Sequence, residues 1–213
     1  MPPVSTLPVF ISASLALLLI PGPAVLFIVA RSSAQGKRAG FVSVFGVHCA
    51  TVVHVLAAVV GLSALVVASA LAFTAIKIVG GLYLFWLGVK SIRGARRLTE
   101  VEAPVVTAQK RLFGQAFTVN MLNPKVAIFF LAFLPQFVHR GHAPVWSQTL
   151  VLGLIYIALG LCTDSMYVLL GSRLGAWFGG HVRKVRALRY GEGGVLIGLG
   201  VLTLAVPHRR STT

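Results

Sequence analysis

Few side chains in this sequence are equipped for chemistry, and most of them stand in apolar surroundings. Asn120, Asn123, Pro124 and Lys125 interrupt the stretch 113–138, in which mostly apolar residues lead in and an unbroken apolar run, Val126 to Leu134, follows. Proline removes one backbone donor and its ring crowds the carbonyl four residues back, so a helix through this stretch fails just before Pro124. In hydrocarbon the freed carbonyls are tolerated only where they face protein, water or a substrate. A lysine beside such a break is costly, which makes Lys125 a functional candidate by default. Its structural alternative is a cation seated on the carbonyls at a helix C-terminus. Pro21-Gly22-Pro23 interrupts the first apolar stretch in the same way. Two broken helices in corresponding places are the sequence mark of a transporter binding site.

The other candidates are scattered. Lys77 lies near the start of the third apolar stretch, His48 and His54 in the second, and Asp164 in the fifth. Asp164 is read as the only carboxylate inside a spanning segment. It is therefore the expected acceptor for a substrate ammonium and the expected site of proton exchange, with His48 and His54 next in line. Against these roles stand packing kinks at Pro21 and Pro23, a structural ion pair at Asp164, and histidines that only pack. Tyr83, Trp86, Phe129 and Phe130 read as packing aromatics. Cys49 and Cys162 fall inside apolar segments and read as small buried hydrophobes without a disulfide. With no CxxC or zinc spacing, no metal site and no cofactor are expected. No nucleophile with its base is present either, so the chain does not read as an enzyme.

The elements that must hold these residues follow from bulk properties. Of the 213 residues, 57% are apolar and 11% charged, and the mean hydropathy is +0.89, which excludes an ordinary soluble domain. Six apolar stretches of spanning length are expected, about 7–30, 41–66, 74–90, 113–138, 146–170 and 190–206. The net charge of +15 suggests nucleic acid until its distribution is seen. Arg31, Lys37 and Arg38 lie between the first two stretches. Lys90, Arg93, Arg96, Arg97, Lys110 and Arg111 lie between the third and fourth, and Arg173, Arg183, Lys184, Arg186 and Arg189 between the last two. Arg140, Arg209 and Arg210 are left for the other side. Basic short loops stay cytoplasmic, so both termini are placed outside, with anionic lipid as a secondary contact and no nucleic acid as partner. The N-terminal stretch has no basic flank ahead of it and reads as an uncleaved first helix.

Three stretches, a polar linker and three more give the fold expected here. It is an all-α integral membrane protein of six transmembrane helices, arranged as two inverted three-helix repeats with helices one and four broken. Repeat one covers about 1–93, the linker 94–111 and repeat two 112–213 of one domain. By helix rise, Gly22 and Asp164 lie roughly 13 Å from the basic flank, and Pro124 and Lys77 roughly 20 Å, near the middle of a bilayer about 30 Å thick.

The motifs together resemble the LysE/RhtB superfamily of bacterial amino-acid exporters. They are Pro21-Gly22-Pro23, the second stretch with His54 and Gly61-Leu62, the run from Lys77 through Gly80-Gly81 to Gly88, and Asn123-Pro124-Lys125 followed by Phe129-Phe130 and 134–137. The resemblance covers essentially the whole chain. It implies secondary, proton-driven export of amino acids across the bacterial inner membrane, by a multi-pass protein that is compatible with a homodimer. The charge of Lys77 and Lys125 against Asp164 points to neutral or small polar substrates. The alternative, a divalent metal cation exporter of related fold, would have to draw on His48, Cys49, Cys162 and Asp164. The charge asymmetry predicts a cytoplasmic signal from a reporter fused after Arg97 and an external one after Arg140; the reverse pattern would overturn the inverted order of the halves.

Overall fold

The computed structural model describes residues 2–68, 70–97, 108–139, 143–171, 173 and 182–205. Both expected interruptions are present, and proline chemistry accounts for each. Helix α1 (Leu7–Leu19) stops where Ile20 turns extended, with φ −89° and ψ 115°, because a residue before proline is pushed out of the helical region. Pro23 then opens α2 (Pro23–Ala68), a first-turn position where its missing N–H costs nothing. Likewise α4 (Gln109–Met121) ends ahead of Asn123, which is extended before Pro124 and caps α5 (Pro124–Ile128). The apolar run after the second break is not one regular helix. It passes from α5 through a π turn (Phe129–Phe133) into a 3-10 turn (Leu134–Phe137), an irregularity that often marks functional sites.

At 46 residues α2 would be roughly 70 Å long if straight, over twice the thickness of a bilayer core. It is divided at Gly36, whose φ of 81° and ψ of 175° suit glycine and little else. The basic turn expected at residues 35–38 is thus a one-residue hinge. The remaining long helices are α3 (Ala70–Arg96), α6 (Val145–Leu169) and α7 (Val182–Ala205). Stretches 23–62, 145–169 and 185–205 are long and apolar enough to cross a membrane. The pair 111–121 and 124–137, bent by 47°, makes a fourth such stretch. All described regular structure is helical, and large apolar side chains such as Phe45, Val60 and Val79 face outward on these helices, as lipid contact requires. The linker core 98–107 and most of 172–181 lie outside the described residues.

Helix pairing depends on small residues, since apolar burial alone does not drive association in lipid. α3 and α7 run antiparallel through matched glycines. A Cβ on Gly88 would meet the Gly193 carbonyl oxygen at 2.5 Å, and one on Gly200 would meet that of Gly81 at 2.7 Å. α2 and α6 are also antiparallel, with Gly40 on Val168, Gly160 on His48 and Gly153 on Val55. α2 and α4 run parallel, Gly46 lying against the Phe113 carbonyl. Ala50 and Ala58 are buried in this packing, whereas Ala57 is exposed.

The core is aromatic. Phe10, Phe129, Phe130, Phe133, Phe137 and Tyr156 interlock, with ring centroids 4.7 Å apart for Phe129–Tyr156 and 5.2 Å for Phe10–Phe137. Tyr83 and Trp86 instead sit on the outer surface, 5.2 Å apart, with Lys90 over the Trp86 ring. Cys162, expected to be buried, is exposed on α6, and Cys49 is half-buried. Backbone-to-backbone glycine contacts leave no room to relax. Gly88→Val should therefore destabilise the purified protein by about 1–3 kcal/mol or prevent its accumulation, whereas Gly198→Ala, with open space around it, should leave the thermal unfolding midpoint unchanged.

Candidate functional site

The two breaks meet. From the second, Lys125 Nζ donates a 3.0 Å hydrogen bond to the carbonyl of Ile20, at the end of α1. The preceding carbonyl, that of Leu19, accepts from the Tyr167 hydroxyl of α6 at 2.6 Å. These are the orphan acceptors that any helix end leaves. The structural reading of Lys125 as a cation on C-terminal carbonyls is therefore correct in geometry. One charge-assisted bond is worth roughly 1.5–3 kcal/mol, while desolvating an ammonium costs several. A carbonyl alone does not hold this lysine, which is only 8% exposed.

Two carboxylates supply the rest. Asp164 of α6 lines the same cavity as Lys125, and Glu192 of α7 flanks Gly22 beside it. A Cβ built on Gly22 would lie 2.8 Å from Glu192 Oε1 and 3.3 Å from Lys125 Nζ. The expectation that Asp164 is the one carboxylate within the spans does not hold. Glu192 lies two residues inside the stretch expected for the sixth segment, where a flank of arginines and glycines masks it. With Glu192 counted, the described charges at the site are one ammonium and two carboxylates beside a histidine, so the inference from a net positive cavity falls. The side chain of Lys77 lies outside the described part of the structure, although its backbone belongs to α3.

Asp164 is itself engaged. Its Oδ2 lies 3.1 Å from His48 Nε2 of α2, both groups being buried. The other ring nitrogen of His48, Nδ1, is buried without a hydrogen-bond partner. Asn120, 1% exposed, donates from Nδ2 to the Val47 carbonyl at 2.9 Å and to Thr51 Oγ1 at 3.0 Å, which fixes the end of α4 to α2. His54 does not join this group. Its Nε2 lies 3.3 Å from the Asn120 carbonyl and its ring stacks on Phe130. That carbonyl also accepts the Asn123 N–H at 3.1 Å.

A small cavity lies where these groups converge, lined among others by Gly22, His48, Asn120, Asn123, Lys125 and Asp164. It gives the centre of a water-sized sphere about 40 Å3, room for about three waters at the roughly 10–15 Å3 that each needs. Pro21 is buried at the rim of the break, while Pro23 and Pro124 are exposed; all three shape the turns. The N–H groups at the two breaks are not equivalent. At the second, Lys125 N–H is taken by Asn123 Oδ1, and those of Val126 and Ala127 by the Asn123 carbonyl. Each of these three donors is thus occupied. At the first, Ala24 and Val25 line the cavity at the start of α2, and Leu26 N–H is the first to find its carbonyl, that of Gly22. Among the described residues no three His, Cys, Asp or Glu side chains gather as a metal would require.

An all-helical membrane protein with a buried, charged site between two interrupted helices has the architecture of a secondary transporter. Residues 15–206 match the LysE type translocator family, and the chain belongs to that family. It is 30% identical over 199 residues to the homoserine/homoserine lactone efflux protein of Salmonella typhimurium, covering 93% of this chain and 96% of the relative. A leucine efflux protein of Klebsiella pneumoniae is 25% identical over 158 residues, 73% of this chain and 74% of its own length. An uncharacterized membrane protein of Pseudomonas aeruginosa is 34% identical over 189 residues, 86% and 88% of the two chains. No solved structure matches the chain. Because Asn123 closes the second break with its side chain, Asn123→Ala should lower stability by about 1 kcal/mol, with Asn123→Asp or Asn123→Ser close to the parent, as read from thermal unfolding in detergent.

Proposed function

We propose that the chain exports neutral or small polar amino acids from the bacterial cytoplasm across the inner membrane, in exchange for protons. The observation that carries this is Lys125, a buried ammonium joining two helix breaks within the field of two carboxylates. The names of the efflux relatives support the substrate class. The antiparallel pairing of α2 with α6 and of α3 with α7 supports six spans in two inverted halves, and the basic loops support termini on the outer side.

In this reading an amino-acid carboxylate docks at the start of α2, on the N–H groups of Ala24 and Val25, and takes a hydrogen bond from Lys125. The ammonium of Lys125 is released from Ile20 in doing so. His48 and Asp164 exchange the proton. A neutral imidazole donates from Nε2 to the carboxylate, and its unpartnered Nδ1 is then the acceptor open to an incoming proton. The resulting imidazolium–carboxylate pair has a different charge from the resting one, and that difference couples the gradient to the state of the site. The π and 3-10 turns beside the aromatic cluster supply the part of the fold able to shift.

The reading is tested by intracellular and extracellular amino-acid levels in cells with and without the protein. The parent should lower the internal pool of, and raise resistance to, one or a few amino acids or toxic analogues. Asp164→Asn should abolish gradient-driven export with protein level and topology unchanged, and Lys125→Ala should chiefly weaken substrate binding. Normal export by Asp164→Asn across a pH range would make the His48–Asp164 pair structural.

A further inference from the structure

We infer that Glu192, Gly22 and Ser91 form the subsite that receives the substrate's α-ammonium, separate from the His48–Asp164 pair; this deepens the exporter reading and rests on it. Three observations carry it. The first is orientation. Glu192 Oε2 is held by the Ser91 hydroxyl of α3 at 3.1 Å, and the same hydroxyl lies 3.0 Å from the Arg189 carbonyl. The carboxylate is thereby braced from behind. Its other oxygen, Oε1, points toward Gly22 at the first break and accepts no hydrogen bond among the described residues.

The second is spacing. Lys125 Nζ and Glu192 Oε1 flank the same point, the place a Gly22 side chain would fill, yet they are not an ion pair. The only salt bridge among the described residues is His48–Asp164. Opposite charges that face one gap without closing it suit a zwitterion, whose carboxylate and ammonium sit on one carbon. The carboxylate would turn to Lys125 and the ammonium to Glu192, so both protein charges gain a partner when the substrate enters. A glycine is required between them because any Cβ at position 22 occupies that gap.

The third is exclusion. Asp164 is the other carboxylate within reach, and one of its two oxygens, Oδ2, is already taken by His48. The neighbouring cations do not compete for Oε1. Lys90 lies over Trp86, and Arg189 reaches toward Gly94 on α3. Proton exchange and ammonium recognition thus fall to two different acids on α6 and α7.

The test uses the full chain in proteoliposomes, with L-homoserine and L-leucine as labelled substrates. Their deaminated counterparts, 4-hydroxybutyrate and 4-methylpentanoate, serve as competitors. The parent should carry at least one amino acid and ignore both deaminated acids. Glu192→Gln should raise the KM for that amino acid about 10- to 100-fold, the cost of one charge-assisted hydrogen bond, and leave the pH profile of transport in place. Glu192→Asp, shorter but charged, should recover part of the affinity. Ser91→Ala, which only frees Oε2, should raise KM by a smaller factor, and Gly22→Ala should block transport, so the inference stays exposed if Glu192→Gln fails to fold. It is overturned if Glu192→Gln leaves KM unchanged, if it moves the pH profile in place of KM, or if Ser91→Ala and Gly22→Ala both transport like the parent. A parent that carries neither of these nor any other neutral or small polar amino acid of a full panel overturns the exporter reading itself, and the subsite with it.

Discussion

A broken helix in hydrocarbon must find partners for its freed carbonyls and N–H groups inside the protein, and this structure is arranged around that requirement. The carbonyls of Leu19 and Ile20 are met by Tyr167 and Lys125, and that of Asn120 faces His54. Asn123 closes the second break with its own side chain. Apart from Asn123, each of these partners comes from a different helix or from the opposite break. The polar residues that a membrane protein could least afford to bury are therefore placed where backbone groups already need them. Removal of Lys125 would leave the Ile20 carbonyl open.

The same arrangement makes the site responsive. Lys125 is held by one carbonyl and by charges that do not touch it. Its position is a balance among weak partners, not a locked pair. The cavity has room for about three waters, less than an amino acid would need. The aromatic cluster from Phe10 to Tyr156 reaches the cavity through Tyr156, which lines it. Glycine contacts between α3 and α7 and between α2 and α6 bring backbones close enough for each helix pair to act as a unit.

The two acids differ in their partners. Asp164 is paired with an imidazole, whose ordinary titration range lies closest to physiological pH. Glu192 is paired with a hydroxyl, which orients it without changing its charge. A carboxylate braced by a neutral group suits a persistent counter-charge, whereas one bound to histidine suits a proton relay.

Much of this was readable from the residues alone. Apolar runs of spanning length, the charge bias of the loops, and the two proline breaks depend on local chemistry: hydropathy, loop charge and the missing N–H of proline. The family resemblance rests on the same motifs, and Gly22, Asn120, Asn123, Lys125, His48 and Asp164, which line one cavity, are candidates by it or by their cost in lipid. What the tertiary structure decided is who meets whom. The antiparallel register of α2 on α6 joined His48 to Asp164, and that of α3 on α7 carried Glu192 to the first break. The structure sent His54 to a carbonyl and turned Cys162 outward. A one-dimensional pattern records how deep a residue lies along its helix but not which way the helix is rotated. Rotation is set by close glycine contacts between segments far apart in the chain, and it alone decided which polar groups share the site.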